Sequence, residues 1–126
     1  MDVFIDSSVL VRLKDPSVPL RHLAERAIEH LDAQGFHLLL SAQVLMEYWA
    51  VATRPSTARG GLGLTAEEAV SDVEAYRTWF ATVREDERFF SIWWRIVQDY
   101  RVLGRQVWDA RIAAIMQLHG IKHLLT

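Results

Sequence analysis

Cysteine is absent from the 126 residues, which excludes a disulfide framework, a zinc–thiolate centre and a thiol nucleophile together. Positive charge is not in excess either. With 14 Lys and Arg against 16 Asp and Glu, the formal net charge is -2, so any contact with nucleic acid must come from a local patch of cations rather than from a global field. No apolar run approaches the length that crosses a bilayer. The start, Met1-Asp2-Val3-Phe4-Ile5-Asp6, lacks the basic head and long apolar core of a secretory leader. These absences predict a cytoplasmic protein without a membrane partner. Internal repeats and low-complexity tracts are missing as well, and the length suits one domain with a single core.

Short strands alternate with amphipathic helices. Val3-Phe4-Ile5 reads as a strand buried on both faces. It stops at Asp6-Ser7-Ser8, residue types favoured at helix starts, and Val9, Leu10 and Leu13 follow at helical spacing. Pro19-Leu20 opens a second helix through Leu23, Ala24, Ala27, Ile28 and Leu31, ended by Gln34-Gly35. Phe36 to Leu40 is the next strand, with Ser41 as the expected cap of a helix from Ala42 to about Thr53. The stretch Arg54 to Leu64 carries the breakers. Its glycines lack the Lys-Ser/Thr ending of a phosphate-cradling loop, so it reads as a flexible connection with two arginines. Thr65-Ala66-Glu67-Glu68 forms a capping box ahead of a helix through Val70, Val73, Tyr76, Trp79 and Phe80. Ala81 to Arg84 is a candidate third strand, and Phe90 to Tyr100 a helix with Trp93, Ile96 and Val97 inward and Trp94 on another face. A last helix around Gln106–Met116 precedes His119-Gly120 and a final strand ending at Thr126. This order predicts an α/β, three-layer α/β/α single domain with a short, mainly parallel central sheet.

Three acids stand at comparable places. Asp6 follows the first strand, Glu47 lies on the helix after the second, and Asp109 opens the helix before the last. On helical spacing Asp109 shares a stripe with Ile112, Ala113 and Met116, which would face it toward the core; a helix beginning at Ala110 would make it an N-cap instead. For Asp6 the bland alternative is also a cap, and for Glu47 a solvated helix acid. In a parallel sheet all three converge on the rim formed by the strands' carboxyl ends. Crowded carboxylates raise one another's pKa, and a hard divalent cation relieves that repulsion, so Mg2+ or Mn2+ is the implied guest.

These stretches resemble the PIN-domain family, in its VapC toxin branch. Val3 to Leu10 is similar to the family's first strand and acidic motif, Ser41 to Trp49 to its second motif, and Trp108 to Ala114 to its third. Thr53-Arg54-Pro55, the Gly-Leu-Gly-Leu loop and His119 to Thr126 extend the likeness nearly end to end. The resemblance implies a divalent-metal-dependent endoribonuclease that cuts single-stranded or loop RNA as the toxin of a type II toxin–antitoxin pair. It also implies a VapB-type antitoxin partner and a homodimer. Asp6, Glu47 and Asp109 would be both the catalytic acids and the metal ligands, with Ser7 and Ser8 ordering the site. Arg54, Arg59 and Arg111 are candidates for the RNA phosphates, Trp49 for core packing, and Trp108 for stacking on a base.

Two features depart from the family pattern. Ser8 stands where Asn is common, and reaches less far. The family's usual Asn-x-x-Asp-Phe segment, with a fourth acid, would follow Thr126, which is the last residue here; a site of three acids suggests an alternative, a PIN-like chain with weak catalysis that chiefly binds an antitoxin. A phospho-receiver domain would need two adjacent acids after the first strand, and Asp6-Ser7 does not supply them.

Overall fold

A computed structural model describes residues 1–126. Ten elements follow in the order β1 (Asp2–Ile5), α1 (Ser7–Arg12), α2 (Val18–Ala33), β2 (His37–Ser41), α3 (Ala42–Ala52), α4 (Ala66–Trp79), β3 (Ala81–Val83), α5 (Phe89–Asp99), α6 (Gln106–Leu118) and β4 (His123–Leu125). The sheet order is β3-β2-β1-β4, and every neighbouring pair is parallel. The expected α/β sheet flanked by helices is therefore present, and it is wholly parallel. The chain steps outward from β1 to β2 to β3, then returns to add β4 on the far side of β1. That reversal makes the carboxyl end of the β1–β4 pair a topological switch point, where diverging connections leave a crevice. Asp6 and Thr126 stand there, next to the register pair Ile5 and Leu125.

Burial explains why these strands pair. Phe4, Ile5 and Leu40 are fully enclosed, as parallel strands covered on both faces require. Val9 and Leu10 of α1, Val44, Tyr48 and Ala52 of α3, Tyr76 and Phe80 around α4, and Ile112 and Ile115 of α6 complete the core. Two buried phenols knit the helices together. Tyr48 and Tyr76 meet edge to face with ring centroids 5.0 Å apart. Tyr48 Oη donates to Asp72 Oδ2 at 2.7 Å, and Tyr76 Oη donates to the Leu10 carbonyl at 3.1 Å. Removal from water pushes both phenols' pKa values up.

Several expectations are corrected by tertiary contacts. The breaker-rich stretch is not a flexible connection: the N–H groups of Leu62, Gly63 and Leu64 donate to the carbonyls of Val51, Arg54 and Ala52, which pins it to the end of α3. Leu62 and Leu64 also pack on the core. Ser41 precedes α3 as expected, but its hydroxyl makes no cap bond and is buried without a partner. The capping box at Thr65 and Glu68 forms as expected, whereas Val70 and Trp79 face solvent and Ala69 takes the inward place. Leu23 on α2 is likewise exposed, leaving Ala24 as that helix's buried residue.

Candidate active site

Asp6 leaves β1 in extended geometry and caps α1, so the bland and the functional readings hold together at one residue. Its Oδ1 accepts from the Ser7 backbone N–H at 2.8 Å, and its Oδ2 accepts from Ser8 Oγ at 3.1 Å and from Thr126 Oγ1 at 3.0 Å. The Asp6 N–H donates to the Leu125 carbonyl at 3.0 Å. The carboxylate is thereby fixed by three donors. Ser8 orders it through its hydroxyl, while Ser7 acts through its backbone rather than its side chain. Thr126 was not among the expected ordering residues. Its role depends on the β1–β4 register, which no local pattern encodes.

Glu47 is not a solvated helix acid. It lies half-buried on α3, and its Oε1 is enclosed without a hydrogen-bond partner. Burial first, then the negative charges of Asp6 and Asp109, raise its pKa above the ordinary 4.5; the Gln43 side-chain amide and the Arg111 guanidinium act in the opposite sense. Four residues before Glu47, on the same helical face, Gln43 is buried, and its Nε2 donates to the Trp108 carbonyl at 3.1 Å. The i, i+4 spacing with Glu47 was the available signal for Gln43.

Asp109 is neither core-facing nor an N-cap. Helix α6 begins at Gln106 through a run of i→i-3 bonds from Gln106, Val107 and Trp108, which places Asp109 in its first turn. There the helix dipole favours a carboxylate. The side chain is exposed, as is Ala113, while Ala110, Ala114 and Ile115 carry the buried stripe. The rotation follows from packing: α6 lies against both the sheet and α5, where the Trp93 indole N–H donates to the Val107 carbonyl at 3.3 Å.

The three acids come near enough for Asp6 and Asp109 to act on Glu47. They do not close into a ready-made cage, because no three Asp, Glu or His side chains stand close enough to hold one ion together. The expected three-ligand site is corrected accordingly. Hard oxygen donors and an enclosed, unpartnered Glu47 oxygen still fit a divalent cation of the kind that keeps several waters and takes only one or two carboxylates directly. The His119 and His123 pair offers no zinc site. His119 is the C-cap residue of α6 with its Nε2 2.7 Å from the Arg84 carbonyl, while His123 opens β4 and meets Phe36 edge to face.

Of the candidate cations, Arg111 is brought to the site, held by its Nε donating to Glu85 Oε1 at 2.5 Å. Glu85 is a further residue that sequence reasoning missed. Arg54 and Arg59 stay with the loop beyond α3, where Arg54 Nη1 donates to the Arg59 carbonyl at 3.1 Å. Trp108 is 54% exposed beside Asp109, in keeping with a stacking surface, and Trp49, expected in the core, is 37% exposed.

Known proteins share the sequence pattern and the fold of this chain. Ribonuclease VapC48 of Mycobacterium tuberculosis is 28% identical over 123 residues, covering 96% of this chain and 83% of that protein. The fold is shared with VapBC2 from Rickettsia felis, solved bound to a DNA fragment from its promoter, at a TM-score of 0.69 with 14% identity, covering 100% of this chain and 87% of that one. It is shared also with VapC20 of Mycobacterium tuberculosis, a sarcin–ricin loop-cleaving toxin, at a TM-score of 0.65 with 20% identity, over 97% of this chain and 86% of that one. The PIN-domain family model matches residues 3–126. With that match spanning nearly every element from β1 to β4, the chain belongs to the PIN-domain family.

Proposed function

We propose that residues 1–126 form one PIN unit that acts as a divalent-metal-dependent endoribonuclease on single-stranded or loop RNA, the toxin of a type II toxin–antitoxin pair. The observation that carries this reading is that Asp6 and Asp109 lie near enough to act on a half-buried Glu47, one oxygen of which is enclosed and unpartnered. The names of the ribonuclease and toxin relatives support it. Mg2+ or Mn2+ is the fitting ion, since the donors are hard oxygens and water completes the shell. When bound, such an ion activates water and neutralises charge on the scissile phosphate.

The chain's own residues supply the rest. Asp6, with both oxygens held, offers the ion a carboxylate that need not reorganise. Asp109, exposed on the first turn of α6, would offer such an ion a second carboxylate. Glu47, its pKa raised by burial and the neighbouring acids, would take a proton from the attacking water as general base. Arg111, oriented by Glu85, holds a phosphate oxygen as water displaces the sugar oxygen in line. Arg54 and Arg59 contact phosphates farther along the strand, and Trp108 stacks on an unpaired base. A VapB-type antitoxin would neutralise the activity, as the solved VapBC2 assembly suggests. The unpartnered aromatic side of α5, with Phe90 and Trp94 stacked and exposed, gives a homodimer a surface to use.

The test is Asp6→Asn in a manganese-supplemented assay on single-stranded RNA. Asn keeps the cap acceptor and lets the two hydroxyls reorient, so the fold survives. Cleavage should fall by more than about a hundredfold, at least the cost of losing a supporting partner of a metal ligand. Equal cleavage by the two proteins rejects the assignment.

A further inference from the structure

Three buried side-chain polar atoms lack hydrogen-bond partners, Ser41 Oγ, Gln43 Oε1 and Glu47 Oε1, and all fall within seven consecutive residues at the start of α3. A buried polar atom without a partner costs roughly 1–3 kcal/mol, so such atoms do not gather by chance in a well-packed core. Gln43 is the informative member. Only 6% exposed, it spends its amide N–H on the Trp108 carbonyl, in the turn of α6 that carries Asp109. Its carbonyl oxygen is buried without a partner, and its side-chain amide also reaches the Glu47 carboxylate one turn on, where it works against the effect of burial. One amide therefore spans the two helices that bear two of the three acids.

We propose that Gln43 is a positioning residue: its amide N–H, donated to the Trp108 carbonyl, ties the Asp109 turn of α6 to α3 and so holds the two acids at the spacing on which ion uptake depends. This rests on the functional reading above and deepens it by naming what sets the Glu47–Asp109 separation. A second carboxylate at position 43 would add repulsion to a crowded acidic rim, whereas an amide offers a donor and an acceptor without charge.

The experiment measures Mn2+ uptake by isothermal titration calorimetry, without RNA, on wild type, Gln43→Met and Gln43→Asn. Met keeps the volume of Gln and removes both polar ends. Asn keeps the chemistry but falls one methylene short of Trp108. Both variants should bind Mn2+ about tenfold more weakly, the size of effect seen when supporting partners of metal ligands are lost. Their melting temperatures should stay near that of wild type, because the lost bond is offset by removal or solvation of an orphaned oxygen. Cleavage by both should recover at saturating Mn2+, which a general loss of fold would not allow. Wild-type affinity in either folded variant overturns the role of Gln43 while leaving the nuclease reading standing. Failure of wild type itself to take up Mn2+ overturns both. If Gln43→Met melts early, Gln43→Asn decides alone, by the same criterion.

Discussion

At the scale of single residues, Glu47 ties folding to protons. Its pKa is raised in the folded chain by burial, then by Asp6, with Asp109 adding to the effect. A carboxyl that holds its proton more tightly when folded contributes stability that is complete below its unfolded value of 4.5 and is lost as pH rises through the raised folded value. In EDTA, wild type should therefore lose ground to Glu47→Gln between about pH 4 and about pH 7, because the neutral amide has no such dependence. Urea midpoints of the two proteins at both pH values read the effect directly. Added Mg2+ should narrow the gap at neutral pH, since an ion that binds only the folded state stabilises it. A midpoint difference that stays constant with pH would show that Glu47 titrates alike in both states.

Among the elements, the segment between α3 and α4 is the one whose character most depends on its packing. Read along the chain, its Pro55 and three glycines mark a break, and a break invites mobility. In the fold the same glycines let the backbone lie directly on the end of α3. A Cβ at Gly61 would meet the Pro55 carbonyl oxygen at 2.2 Å and that of Arg54 at 2.7 Å, while Gly63 takes a positive φ of 66°. Gly61→Ala must push two backbone carbonyls aside, so it should destabilise the protein by about 1–3 kcal/mol in urea denaturation. A substitution at a truly mobile position would cost almost nothing. The capping box at Thr65 was readable because its reciprocal bonds, Glu68 N–H to Thr65 Oγ1 and Thr65 N–H to Glu68 Oε1, are local. Helix α6 begins at Gln106, the first residue read for it, and the alternative start at Ala110 fails: Arg105 enters the helix in helical geometry with no side-chain cap, so Asp109 is not the boundary residue.

For the whole molecule, charge limits how RNA can be held. A chain of net charge -2 offers only local cations, and the proposed contacts are Arg54, Arg59 and Arg111. Each phosphate neutralised on a single strand contributes about -0.7 to the slope of log affinity against log salt, so three contacts give a slope of roughly -2. Equilibrium binding of the Asp6→Asn protein to RNA across a series of KCl concentrations measures it without cleavage. Arg111→Ala should flatten the slope by about 0.7, and a slope unchanged by that substitution would remove Arg111 from the phosphate path. No helix is long and apolar enough to cross a membrane, and Phe90, Trp94, Tyr100 and Leu103 are exposed.

The sequence by itself determined the α/β class, the parallel strands and the presence of three acids at strand ends and helix starts, because periodicity and capping chemistry act over a few residues. It also carried the family likeness, since each acid sits in its own local motif. Only the tertiary structure decided that Thr126 anchors Asp6, that Gln43 bridges α3 and α6, and that Asp109 faces outward. Those facts depend on strand register and helix rotation, which are fixed when the whole core packs and the far ends of the chain meet.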